Sequence, residues 1–216
     1  MGFAAVGPFR AAHHANFGSE NGSRIPEKIE SMTPTEKEQI CTKLDASRKA
    51  VMQSLAGLRE EQWRFVPATG GWSIAQIVDH LTYIESQVTG KLMSLVQNEP
   101  PDPLLPAITD RKELALMRGV PNRTRKAVMP PEFASPQGTA EIAHLVEQFQ
   151  AVRERTIGFA RDCTVDLREY GNEHFVFKML NGEQWLLLNA LHAERHVGQI
   201  DEIKQAPDFP HLTAAD

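Results

Sequence analysis

Gly71-Trp72-Ser73-Ile74-Ala75-Gln76-Ile77-Val78-Asp79-His80-Leu81 reads as the opening turns of a helix that carries a histidine on its apolar side. Ser73 stands at the N-cap, and Gln76, three residues on, completes a capping box. Apolar residues then recur at Ile77, Leu81, Ile84, Val88, Leu92 and Leu95. This predicts a helix to about Asn98, stopped by Pro100, Pro101 and Pro103. A later stretch repeats both features. Asn181-Gly182-Glu183-Gln184 is an N-cap with Gln at N3, and Trp185, Leu188, His192, His196, Gln199 and Ile203 follow along one side before Pro207. His192 and His196 are four apart, so their side chains lie one above the other on a single helical face.

Two further helices flank these. Thr33-Pro34-Thr35-Glu36 combines an N-cap, a proline at N1 and a capping-box glutamate, followed by Ile40, Leu44, Val51, Leu55 and Leu58. Another begins near Thr139, with Glu141 in its first turn and Ile142, Leu145, Val146, Phe149, Val152 and Ile157 on its apolar face. Each helix runs about 22–26 residues, roughly 33–39 Å. Four amphipathic helices of similar length predict an all-α fold, an antiparallel four-helix bundle. The connection between the second and third helices spans about 40 residues, too long for a plain loop. Its length permits either a crossover, with those two helices parallel, or a long excursion over one end of the bundle as a lid. Residues 109–118 are expected to form a short helix within it, and 175–179 a short extended segment before the last helix.

Residues 1–30 lack apolar periodicity and read as a disordered tail or a misplaced start, with His13 and His14 given no role. The bundle is expected over 31–207, with a short C-terminal tail at 208–216. The chain has 216 residues, enough for a substantial core. Its net charge of −5 provides no basic field for nucleic acid. No apolar run reaches the roughly 20 residues of a membrane span. Cys41 and Cys163 form no CxxC, which excludes a cysteine zinc finger and a disulfide framework. The expected compartment is the cytoplasm.

Three imidazoles, His80, His192 and His196, thus face a bundle interior, where each polar nitrogen needs a partner. A divalent metal meets that need, and imidazole ligands suit zinc or nickel. The alternative is three core histidines satisfied by hydrogen bonds alone. The motif is His-Ala-Glu-Arg-His, not HExxH, so the zinc-protease mechanism is not supported. Gln76, one turn before His80, and Gln199, close to one turn beyond His196, are candidates to orient a ligating imidazole or a bound water. Gln76 has a competing role in its cap. Asp79 and Glu194 are expected at the solvated surface. His144, His174 and His211 read as structural or surface residues, and Trp63, Trp72 and Trp185 as core anchors. The basic cluster Arg118, Arg123, Arg125 and Lys126 is either a solvated loop or a receiver for an anionic group.

The Gly71–Leu81 stretch, followed by Trp185, His192, His196 and Val197-Gly198-Gln199-Ile200, resembles the DinB-like superfamily of metal-binding four-helix bundles. The resemblance covers about residues 33–205. It implies one metal-ligating histidine on the second helix and two on the fourth, which are His80, His192 and His196 here. Some relatives are thiol-dependent S-transferases or isomerases using bacillithiol, mycothiol or glutathione, and others are metal-dependent hydrolases.

The resulting expectation is a divalent-metal-dependent, thiol-dependent S-transferase. Its cofactors would be zinc or nickel and a low-molecular-weight thiol, and its substrate a small molecule. The alternatives are a metal-dependent hydrolase, or a non-catalytic metal-containing stress-response binding protein. No residue is assigned a catalytic role. The partners expected include neither nucleic acid nor membrane, and a homodimer is the assembly considered.

Overall fold

The computed structural model describes residues 33–124 and 136–210. Seven helices and one hairpin lie within them. Four long helices form the bundle: α1 (Pro34–Leu55), α3 (Ile74–Asn98), α6 (Ile142–Asp162) and α7 (Gly182–Lys204). Short helices α2 (Glu60–Arg64), α4 (Leu105–Ile108) and α5 (Lys112–Gly119), and a 3₁₀ turn (Leu167–Glu169), fill the connections. Strands β1 (Gly171–His174) and β2 (Lys178–Asn181) pair antiparallel, Gly171 opposite Asn181. No described helix is long and apolar enough to cross a membrane.

The predicted starts of α1, α3 and α7 hold because reciprocal capping boxes fix them, at Thr33/Glu36, Ser73/Gln76 and Asn181/Gln184. The third long helix starts later than expected, at Ile142, with Glu141 as its N-cap rather than in its first turn. The residues before it are occupied otherwise. The Asp79 carboxylate accepts from the backbone N–H of Gln137 and Gly138 at 3.0 and 2.9 Å, and the Arg64 guanidinium donates to the carbonyls of Gly138 and Ala140. Gly138 has φ +59°, and a Cβ there would stand 2.6 Å from the Gln76 backbone nitrogen.

Directions follow from the pairs that touch. Thr89 bonds Thr156, and Glu85 pairs with Arg153, so α3 and α6 run parallel. Lys37 reaches the Cys163 carbonyl while Arg48 pairs with Glu154, so α1 and α6 are antiparallel. His80 meets His192 and His196, whereas Glu85, further along α3, lies beside Asn189 through Arg153, so α3 and α7 are antiparallel. The bundle is therefore up-down-down-up, and residues 99–141 make the crossover.

Two expected segments differ. The helix foreseen at 109–118 is present but starts later, at Lys112, and a separate short helix, α4, precedes it, with Thr109 between the two. Its buried hydroxyl accepts from Asn181 Nδ2 at 2.8 Å, and its carbonyl accepts from Gln184 Nε2 at 2.7 Å. Residues 175–179 are not one extended segment: 175–177 form the turn of the hairpin. His174 Nδ1 draws the chain round by accepting from the N–H groups of Val176 and Phe177. The packed chain also continues past 207. Phe209 is buried edge-on against Phe65 at 5.4 Å, and the Pro210 carbonyl accepts from Gln62. His13, His14, Arg125, Lys126, His211 and the segment 1–30 lie outside the described residues.

The core has two apolar clusters. One gathers Leu44, Leu92, Leu116, Leu180 and Leu186, the other Val51, Trp63, Ile77, Leu81, Phe149 and Ile200.

Candidate metal centre

α3 and α7 bring the three interior histidines together. His80 and His196 are buried and His192 half-buried. His192 Nε2 lies 3.2 Å from His80 Nε2 and 3.0 Å from His196 Nε2. All three ligand atoms fall within 4.8 Å of one another, and no carboxylate or thiol among the described residues joins them.

Hydrogen bonding alone does not satisfy this arrangement. His196 Nδ1 is 2.9 Å from Gln199 Oε1, an oxygen that only accepts. His196 Nδ1 therefore carries the proton, and its Nε2 presents a lone pair. His192 Nε2 faces two other ring nitrogens and, in a neutral ring, has at most one proton to offer. A cation would match all three lone pairs. Two imidazole nitrogens on a tetrahedral ion at about 2.0–2.1 Å stand about 3.3–3.4 Å apart, close to the two short separations seen here.

The surroundings keep the rings neutral. Burial pushes the His80 pKa down to about 4, with the Asp79 charge opposing weakly. Burial, followed by repulsion from His80, takes His196 down to about 3. His192 is held well below the ordinary histidine range by burial and then by its two imidazole neighbours. Neutral imidazole is the form that ligates a metal.

The two glutamines part company. Gln199 sits where an orienting partner is wanted. The Gln76 amide is committed elsewhere: its oxygen accepts from Ser73 N at 2.9 Å, and its nitrogen donates to the Pro136 carbonyl at 3.1 Å. Asp79, expected at the solvated surface, instead anchors the end of the crossover. Glu194 and His144 are exposed as expected. Trp63 is a core residue. Trp72 is half-buried and walls the site, its ring centroid 4.8 Å from that of His80 and 6.2 Å from that of His196. Trp185 is also half-buried, beside His174 rather than at the centre. Of the basic cluster, Arg118 is exposed and Arg123 is spent on a two-pronged pair with Glu202 at 2.7 and 2.6 Å.

A polar layer next to the histidines was not foreseen. Arg153 is fully buried and forks onto Glu85, 3% exposed, with both bonds at 2.7 Å. The stripes carried the signal, because Leu145, Phe149, Arg153 and Ile157 recur every four residues, as do Leu81, Glu85 and Thr89. Hydrophobicity alone selected Val152, Ile84 and Val88, which are only half-buried.

The family model of the DinB superfamily matches residues 43–200. This chain belongs to the DinB superfamily. Its DinB-type sequence is 24% identical to the uncharacterized protein YuaE of Bacillus subtilis (strain 168) over 159 residues, 74% of this chain and 93% of YuaE. The fold resembles that of YfiT from Bacillus subtilis, with a TM-score of 0.54 and 18% identity, covering 83% of this chain and 91% of YfiT. YfiT is described as a probable metal-dependent hydrolase with an unusual four-helix bundle topology. That likeness supports the bundle architecture of this DinB member.

Proposed function

We propose that this protein is a divalent-metal-dependent enzyme that conjugates an intact low-molecular-weight thiol, through its sulfur, to a small electrophile, with the thiol proton and the electrophile's leaving group released. His80, His192 and His196 would hold the ion, zinc or nickel. The convergence of three neutral Nε2 atoms carries this reading. A divalent ion bound there supplies Lewis acidity, which lowers the pKa of a thiol or water that joins it. Gln199 fixes the His196 tautomer and ring plane, and the Trp72 face closes one side. The protein's own thiols are not needed: Cys41 and Cys163 turn toward the carbonyls of Ile157 and Val165, outside the cluster.

Hydrolysis is the second reading, and the description of YfiT favours it. It calls for a general base near the ion. The two carboxylates closest to His80 along α3 are already engaged, Asp79 by backbone N–H groups and Glu85 by Arg153. This favours the thiol reading.

Elemental analysis of the untagged full chain, after zinc or nickel reconstitution, tests the centre. About one equivalent is expected, lost in His192→Ala. No bound metal in the parent would leave the histidines as core residues. With metal bound, conjugation of bacillithiol, mycothiol or glutathione to monochlorobimane, against cleavage of p-nitrophenyl acetate, separates transferase from hydrolase. Turnover of neither would favour a non-catalytic binding protein.

A further inference from the structure

The buried layer of Arg153 touches all four long helices. From α6, Arg153 Nε and Nη2 donate to the two carboxylate oxygens of Glu85 on α3. Nη1 donates to the Leu44 carbonyl at 2.7 Å and to the Ser47 hydroxyl at 2.5 Å, both on α1. Nη2 also reaches the Asn189 carbonyl on α7 at 3.5 Å. The guanidinium has five N–H groups in a fixed planar fork, and each has an acceptor here. Glu85 lies five residues beyond His80 on α3, and Asn189 three residues before His192 on α7. The layer therefore sits about one helical turn from the imidazoles, on the same two helices.

An apolar helix interface tolerates sliding, because neighbouring leucine and alanine contacts resemble one another. A planar five-donor fork does not, since a shift by one turn (about 5.4 Å) would strand a charge in the core. Buried ion pairs contribute little net stability compared with apolar residues of similar volume, and fixing a register is their best-attested use. The histidines need such a register: His80 comes from one helix, His192 and His196 from another, and across the two helices His80 Nε2 meets His192 Nε2 at 3.2 Å.

We propose that Arg153 and Glu85 are positioning residues for the metal centre: the five-acceptor clamp sets the register of α3 against α7 that brings His80 onto His192 and His196. This rests on the metal-binding reading above. The clamp acts on the backbone that carries the ligands and touches neither metal nor substrate.

The test replaces the pair by apolar residues, Glu85→Leu with Arg153→Met, in the full chain. Two quantities are read: the unfolding midpoint of the metal-free protein, and the affinity for Co(II) with its visible ligand-field spectrum. The expected result is a metal-free midpoint at or above the parent's, with Co(II) affinity weaker by about tenfold or more and a changed spectrum. Parent-like affinity and spectrum in the folded double variant would overturn the proposal. Should the double variant not fold, Arg153→Lys decides, because it keeps the charge and loses the fork. Weakened Co(II) binding in that folded variant supports the clamp, and unchanged binding overturns it. A parent that binds no Co(II) would instead mark the failure of the metal-binding reading itself.

Discussion

Gln199 is the residue whose removal isolates orientation from ligation. Its side-chain oxygen holds His196 Nδ1, and it contributes no atom to the cluster. Gln199→Leu is expected to weaken zinc affinity by about 10–100-fold in a chelator-competition titration, while changing metal-free stability much less. The histidines also predict a pH response for the metal-free protein. His80 and His174 titrate near 4 in the fold and His196 near 3, all from an ordinary value of 6.5. Between those values the unfolded chain binds more protons, so stability falls as pH falls from 6.5 toward 4. Glu183 acts in the opposite direction. Burial, then repulsion by Glu36, raises its carboxyl to about 7, so its contribution is present below 4.5 and lost as pH rises through 7. Three rings outweigh one carboxyl, and the urea midpoint is expected to be lower at pH 5 than at pH 7. The three ligand candidates were legible because imidazoles on an apolar stripe break the pattern. Arg153 and Glu85 were equally out of place on their stripes, but an apolar count passes over a charge whose partner lies 68 positions away.

Among the elements, the crossover ends in special backbone geometry. Gly138 stands at φ +59° against the first turn of α3, where Asp79 accepts its N–H. Gly138→Ala is expected to cost about 1–3 kcal/mol, from the unfavourable φ and the clash with Gln76. Urea unfolding monitored by circular dichroism would measure it, and a change below about 0.5 kcal/mol would refute the steric account. The helix starts were readable because a capping box is a local code, written within four residues. The late start of α6 and the split of α4 from α5 were not. Both depend on partners distant in sequence: Arg64 and Asp79 for the first, Asn181 and Gln184 for the second. The hairpin turn was missed for another reason. Phe175 and Val176 look like strand residues, but the His174 ring bends the chain beneath them.

For the whole molecule, a bound ion would tie α3 to α7 in the folded state only. With free zinc at a hundredfold excess over Kd, stability is expected to rise by about 2.7 kcal/mol. For a chain of this size that raises the melting temperature by roughly 5–10 °C. Differential scanning calorimetry with zinc, then with excess chelator, reads the gain and its reversal. An unchanged melting temperature would argue against a site built by the fold. The bundle class was legible from four periodic stretches. Its up-down-down-up order was not: connection length only permits a parallel pair, and the Glu85–Arg153 and Thr89–Thr156 contacts between distant residues set the direction.

His80 and His192 are 112 positions apart in sequence, which bears on when a metal can bind. The first nitrogen donor sits on α3 and the other two on α7. Glu85 and Arg153 both precede α7 in the chain, so the ion pair that joins α3 to α6 uses no residue of the last helix. The three-nitrogen centre therefore exists only where the last helix lies against α3, and it reports on that one contact between distant parts of the chain.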